Sequence, residues 1–301
     1  MKALQRYSGW SYTGSLPHLS HPGPQAPHLE ALTWRCATME ITVCIKQVPR
    51  QAEIRWEEGR WSFARQGVPG LINPQDLEAL EMALQLRETH GGEITVLSMG
   101  PAQAEESLME ALAMGADRAV LISDPALAGS DTLATSTVLA AGLRKFHPKP
   151  HIILCGSRSS DSDTGQVGPQ ISEELELPYA GYALEVEVRQ EHAYVLRRLD
   201  RCVQRLRMSL PAVVGMLRAP RRPRDIPLGA IEKAFESKER LRWNLQDLGL
   251  KPEQVGLKGS ATKVVDLREP SHGRQGRILT LPPHQAVEMI LEVLRSHHLI
   301  S

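Results

Sequence analysis

Short apolar runs alternate with amphipathic stretches from Met39 to Leu177. Ile41-Thr42-Val43-Cys44-Ile45, Ile94-Thr95-Val96-Leu97, Ala119 to Ile122 and Ile152-Ile153-Leu154-Cys155 are too short for helices and read as buried strands. Between them, leucines recur at helical spacing: Leu77, Leu80 and Leu84, then Leu108 and Leu112, then Leu139 and Leu143. Val167, Ile171 and Leu175 mark a fourth helix after the last of these strands. Asn73-Pro74 predicts a helix start, with Asn as N-cap and Pro in the first turn, while Gly91-Gly92 and Gly115 predict stops. Gly129-Ser130-Asp131 caps the third helix, and Gln51 to Ala64 reads as a polar hairpin turning near Glu58-Gly59. This succession predicts an α/β fold, a doubly wound and mostly parallel sheet with flanking helices.

Beyond Leu177 the pattern changes. Ala183 to Val188 and Ala193 to Leu199 predict a hairpin, followed by Leu206 and the apolar run Leu210 to Val214. The stretch Arg218 to Trp243 is proline- and arginine-rich before a helix, so it belongs at the surface. It is either a solvated linker or a docking arm with Leu228 as an exposed apolar anchor. Gly256 to Thr280 is polar and basic, and Pro283 to Leu299 predicts an amphipathic helix through Val287, Ile290, Leu291 and Leu294. A tail with so little core of its own is expected to wrap a partner. Residues 1–38 are rich in Pro, His, Ser and Gly and lack periodicity. They are expected to be an extension or a non-native start ahead of Met39, and sparse arginine weighs against a transit peptide. The expected organisation is thus residues 1–38, a nucleotide-binding domain over 39–215, and a docking loop with a C-terminal arm over 216–301.

Charge and composition remove several function classes. The 301 residues carry 35 basic and 35 acidic side chains, so no global field favours nucleic acid or an anionic membrane. Aromatic residues make up 4%, which weakens base stacking as a mode of binding. Cys36, Cys44, Cys155 and Cys202 are far apart with no C-x-x-C, which indicates neither a zinc knuckle nor a disulfide scaffold. Cys44 and Cys155 sit in strand-like runs, as buried thiols of a reducing, cytoplasmic compartment would. No apolar run reaches membrane-spanning length. No catalytic triad or metal set is legible: His297-His298 is a polar helix end, and Asp161-Ser162-Asp163 alone is a weak cation motif.

The chemistry concentrates at strand-to-helix junctions. Ser98 to Pro101, Gly129 to Thr132 and Gly156 to Thr164 combine small residues with hydroxyls or carboxylates, and right-handed crossovers bring such loops to one edge of the sheet. Neither G-x-G-x-x-G nor a Walker lysine occurs. In the last junction one of Asp161 and Asp163 would cap the following helix and the other take a ribose hydroxyl. A solvated turn with a helix cap stays open as the alternative.

Several stretches together resemble the beta subunit of electron transfer flavoprotein. They are Val43 to Pro49 (VCIKQVP), Ile72-Asn73-Pro74 with LEALEMALQLRE, Ser98-Met99-Gly100-Pro101, ALAMGADRAVLISD from Ala111, Gly129-Ser130-Asp131-Thr132 with Ala134-Thr135, CGSRSSDSDTGQVGP from Cys155, and Leu210 to Val214. The resemblance covers residues 39–300. It implies a heterodimer whose alpha subunit carries FAD in a mobile domain, with the beta subunit forming part of a fixed base around its own adenine nucleotide. That nucleotide is AMP in ordinary members and a second FAD in electron-bifurcating members. The implied nucleotide site comprises Cys44, Asn73, Met99, Gly100, Asp131, Thr132, Thr135, Gly156, Asp161, Asp163, Thr164, Gln166 and Val167. The segment around Leu228 resembles the family's recognition loop, whose leucine docks partner dehydrogenases. The run Asp161 to Pro169 (DSDTGQVGP) is similar to the bifurcating pattern, as is Gly256-Leu257-Lys258-Gly259-Ser260. Bifurcation implies NADH as hydride donor and ferredoxin or flavodoxin as one acceptor. Simple transfer implies electrons passed from dehydrogenases to a quinone reductase. Arg50, Ser157 to Ser160 and the basic cluster Arg218 to Arg224 depart from the family pattern, and the last implies a more acidic partner.

Overall fold

The computed structural model describes residues 38–49, 55–56, 63–64, 70–146, 149–263, 276, 278 and 280–300. The expected N-terminal extension up to residue 37, Cys36, Arg50 and the Glu58-Gly59 turn lie outside them. The chain forms two compact units, residues 1–263 and 264–301.

In the first unit the order is β1 (Glu40–Cys44), β2 (Gln47–Pro49), β3 (Arg55–Trp56), β4 (Phe63–Ala64), β5 (Gly70–Ile72), α1 (Pro74–His90), β6 (Glu93–Met99) and α2 (Glu105–Met114). It continues through β7 (Arg118–Ile122), α3 (Thr132–Lys145), β8 (Ile152–Gly156), α4 (Val167–Leu175), β9 (Tyr179–Arg189), β10 (His192–Arg198), β11 (Val203–Ser209) and β12 (Ala212–Met216). The helix α5 (Leu228–Ser237), the strand β13 (Glu239–Trp243) and the short α6 (Gly256–Gly259) complete it. Among the described residues, nine strands form one sheet in the order β11-β10-β9-β12-β8-β1-β6-β7-β13. The pairings from β9 through β12, β8, β1, β6 and β7 to β13 are parallel, and the β9–β10–β11 meander is antiparallel. β3 and β4 pair antiparallel, as the expected hairpin does.

Side chains alternate across the sheet and bury both faces. Ile41, Val43, Ile94, Val96 and Leu154 pack with Leu80 and Leu84 of α1 and Leu108 and Leu112 of α2. Cys44, Leu97, Val120, Ile122, Ile153 and Cys155 face the other way, onto Val138, Leu139 and Leu143 of α3 and Ile171 of α4. The sheet is doubly wound and mostly parallel, in line with the alternating sequence pattern. From β1 the chain runs through α1 to β6 and β7, then returns to β8 on the other side of β1. The crevice between the ends of β1 and β8 is therefore a topological switch point, where doubly wound sheets bind ligands.

Two features differ from the sequence reading. Glu239–Trp243, expected within the proline- and arginine-rich surface stretch, forms β13 and pairs in register with β7, Leu241 opposite Val120. Pairing along a free sheet edge outweighs the local propensity of Glu-Arg-Leu-Arg-Trp. The stretch from Gly256, expected to be an extension, starts as α6 packed on the body: Gly256 has φ +61, and a Cβ there would overlap the Ala126 carbonyl.

The second unit contains α7 (Pro283–Ser296), whose Val287, Ile290 and Val293 are about half exposed. Among the described residues no helix is long and apolar enough to cross a membrane.

Candidate functional site

The site is built from the first turn of α1 outward. Asn73 holds the N-cap position, but its side chain makes no cap bond. It reaches across the crevice instead: its Nδ2 donates to the Arg158 carbonyl at 2.8 Å, and its Oδ1 accepts from the Ser160 amide at 3.0 Å. Gln75 Oε1 accepts from the Arg158 amide at 2.8 Å. Asp76, buried in the same turn, accepts from the Lys46 amide through Oδ2 and from the Gly156 amide through Oδ1, each at 2.8 Å. Three polar side chains at the start of one helix, Asn73, Gln75 and Asp76, thus fix the ends of β1 and β8 and the loop beyond.

Lys46 closes the arrangement. Its Nζ lies 2.6 Å and 2.8 Å from the two carboxylate oxygens of Asp161, whose side chain is 3% exposed. Asp163 adopts φ +48, a left-handed conformation that aspartate tolerates, and its exposed carboxylate lies 3.4 Å from Arg158 Nη1. The expectation that Asp161 or Asp163 caps the next helix is corrected here: the N-cap of α4 is Gln166, and no side chain caps that helix. The carboxylates are drawn away because Lys46 and Arg158 offer full charges.

A second group forms at the start of α3. Asp131 Oδ1 caps the helix through the Ala134 amide at 2.9 Å. Its Oδ2 accepts from the Thr262 amide and hydroxyl at 2.8 and 2.9 Å, and the Asp131 amide donates to Ser260 Oγ. Burial pushes this carboxyl upward, but the bonds from Ala134, Thr262 and Ala261 outweigh it and hold the pKa below the ordinary value. Both oxygens are thus engaged internally, in tying residues 260–262 over the helix start. Thr132 Oγ1 donates to Gln166 Oε1 at 2.9 Å, joining this group to the loop after β8. Thr135 lies in the first turn of α3 and its amide bonds the Asp131 carbonyl.

The structure therefore brings Asn73, Gly156 and Asp161 into one hydrogen-bonded cluster with Lys46, Gln75 and Asp76. It brings Asp131, Thr132 and Gln166 into another with Ser260 and Thr262. Asp163, Thr164 and Gly165 lie on the loop between the two, and Val167 opens α4. Met99 ends β6 on the same sheet edge, and Gly100 follows it, its amide bonding the Ile122 carbonyl. Cys44 and Cys155 stand in register on β1 and β8, buried and unoxidised. Burial, then the Asp76 charge, pushes the Cys44 thiol up to about 12, so it is an inert packing group rather than a nucleophile. Lys46 and Ser260 entered the sequence reading only as members of family-like runs, with no role assigned, and Gln75, Asp76 and Thr262 were not singled out. The local hint was that Gln75 and Asp76 sit between Ile72-Asn73-Pro74 and the helical run from Leu77.

Leu228 opens α5 and is 85% exposed, with Phe235 also exposed on that helix. The segment before it is no freely solvated linker. Arg224 is bound to Glu81 of α1 through Nε and Nη2 at 2.9 and 3.0 Å and to Glu88 at 2.9 Å. Arg221 pairs with Glu88, and the Ala219 amide bonds Glu78. Much of the basic cluster is neutralised within the chain.

The backbone approaches closely at Gly156, where a Cβ would overlap Asp76 Oδ1, and Gly165 turns at φ +64. Along the adjoining edge the Thr132 hydroxyl donates to Gln166, and the Thr262 amide and hydroxyl donate to Asp131. Among the described residues no cluster of metal-ligating side chains occurs.

Comparison with known proteins adds independent weight. The electron transfer flavoprotein domain matches residues 60–239. The electron transfer flavoprotein subunit beta of Thermoanaerobacterium thermosaccharolyticum is 41% identical over 262 residues, spanning 87% of this chain and all of the relative. The caffeyl-CoA reductase-Etf complex subunit CarD of Acetobacterium woodii is 37% identical over 264 residues, 87% of this chain and all of the relative. Protein FixA of Azorhizobium caulinodans is 44% identical over 242 residues, 77% of this chain and 85% of the relative. With the switch-point geometry and the doubly wound sheet, these matches establish that the chain belongs to the electron transfer flavoprotein family, among its beta subunits.

Proposed function

We propose that the chain binds FAD at the strand-end crevice and, paired with an electron transfer flavoprotein alpha subunit, takes part in electron bifurcation. The observation that carries this reading is the run Asp161 to Pro169. Gly165 and Val167 stand where AMP-type members tend to have polar side chains. Gly165 takes φ +64, and α4 opens at Val167 without a side-chain cap. That arrangement suits a diphosphate held by backbone amides better than a monophosphate held by hydroxyls. When bound, the flavin supplies the redox chemistry, accepting hydride from NADH and delivering electrons toward ferredoxin or flavodoxin and, through the alpha subunit's FAD, toward a higher-potential acceptor.

The chain's own residues bind and orient. Asn73, Gln75 and Asp76 fix the loop after β8, Lys46 offsets the charge of Asp161, and Asp131 with Thr262 closes the edge at α3. The exposed Leu228 on the arginine-tethered segment supports docking of a partner dehydrogenase. The second reading, AMP as a structural nucleotide with electrons passed from dehydrogenases to a quinone reductase, draws on Thr132 and Gln166 as polar donors at the same edge. Counting flavins in the purified heterodimer separates the two: two FAD per heterodimer supports bifurcation, and one FAD with one AMP refutes it. Bleaching of both flavins by NADH alone is the expected spectral result. An alpha subunit that fails to copurify would remove both readings.

A further inference from the structure

We propose that Asp76 is the positioning residue of this nucleotide site, its carboxylate setting the spacing of the β1 and β8 ends on which cofactor affinity depends. The inference rests on the nucleotide reading above and deepens it.

The geometry is that of a bridge. Asp76 is 5% exposed and touches solvent little, yet its two oxygens accept from two amides at the ends of neighbouring parallel strands, Lys46 just beyond β1 and Gly156 at the end of β8. Those two strands bound the switch point. A carboxylate is the smallest side chain able to accept from both amides at once; an asparagine offers one oxygen and would turn its NH2 toward an N–H donor. Gly156 is shaped to this contact, since a Cβ would overlap Asp76 Oδ1 and crowd Gln75. Asn73 and Gln75, just before it in the chain, hold Arg158 and Ser160, and Lys46 holds Asp161. Release of one Asp76 bond therefore frees the loop at its root.

The surroundings make this bridge sensitive to protons. Burial pushes the Asp76 carboxyl up to about 6, against the lowering effect of the Lys46 amide, Asn73, the Gly156 amide and the Lys46 charge. The charged groups that face it are Lys46 and, through Lys46, Asp161. Cys44 and Cys155 on the strands beside it are both pushed upward and stay neutral thiols. Below that pH the carboxyl gains a proton, one oxygen becomes a hydroxyl facing an amide donor, and one strand end is released. Ligand binding then selects the ionised form and expels the proton.

The test is calorimetric titration of the heterodimer, its alpha-subunit FAD retained and the beta-subunit site emptied, with FAD and, separately, AMP between pH 5 and 8, in two buffers of different ionisation enthalpy. FAD is the cleaner probe because its diphosphate does not titrate in this window. The expected result is affinity about tenfold weaker at pH 5 than at pH 7, with a proton released on binding at the acid end. Asp76→Asn is expected to bind at pH 7 as weakly as the parent does at pH 5, with no pH dependence. If only AMP binds, the parent-minus-variant difference is read in the same way. A parent whose affinity is flat with no proton exchange, or a variant that keeps both affinity and pH profile, overturns the inference while leaving the nucleotide reading intact. If the variant does not fold, the parent's proton count decides. Absence of binding at every pH removes the nucleotide reading, and this inference with it.

Discussion

Glu81 and Arg224 allow a quantitative test of how the docking segment is held. Glu81 lies on α1 with its side chain 2% exposed, and its carboxylate accepts from Arg224 Nε, Nη2 and amide and from Gln85 Nε2. Removing Arg224 leaves a buried carboxylate with Gln85 as its remaining side-chain donor. Stranding one member of a buried pair costs about 3–5 kcal/mol. Arg224 is itself 34% exposed, which places the expected loss for Arg224→Ala at the low end, about 3 kcal/mol. That is more than about a hundredfold in the unfolding constant. With a urea slope of about 3 kcal/mol per molar, the midpoint falls by about 1 M. The assay is equilibrium urea unfolding at pH 7 followed by circular dichroism. Arg221→Ala is the internal control: it removes a pair in which both partners are exposed and is expected to cost under about 1 kcal/mol. Replacing both Glu81 and Arg224 by methionine should recover most of the loss, since neither charge is then stranded. A loss for Arg224→Ala no larger than that for Arg221→Ala would refute the reasoning.

Three further outcomes follow from the geometry. Asn73→Asp keeps the acceptor for the Ser160 amide but cannot donate to the Arg158 carbonyl, so it should destabilise by about 1–3 kcal/mol; equal stability by thermal unfolding would show that the bond to Arg158 contributes nothing. Asp131→Ala loses the α3 cap, about 1 kcal/mol, and unties residues 260–262, so limited proteolysis should cut near Lys258 and Lys263 faster than in the parent. Leu228→Ala should leave stability within about 0.5 kcal/mol because the side chain is exposed, while slowing electron transfer with a partner dehydrogenase; unchanged transfer would argue against docking there.

Local sequence determined the alternation of strands and helices, the glycine stops at Gly91 and Gly115, and the clustering of small and polar residues after three strands. These are near-neighbour properties: side-chain spacing sets which face is buried, and glycine or proline sets where the backbone turns. The resemblance in separate motifs then pointed to the family before any fold was visible. What the sequence could not determine was which polar side chains meet. Asn73 reads as a cap because the groups it bonds, the Arg158 carbonyl and the Ser160 amide, lie 85 and 87 residues away. Lys46 and Asp76 belong to the site because β1 and β8 are neighbours in the sheet, though α1, β6, α2, β7 and α3 separate them along the chain. The same holds for Arg224 and Glu81, 143 residues apart, and for Glu239–Trp243, which became a strand because β7 presented an open edge. Periodicity is written locally, but partners for buried charges and unpaired amides are assigned by topology, and only the folded sheet brings them together.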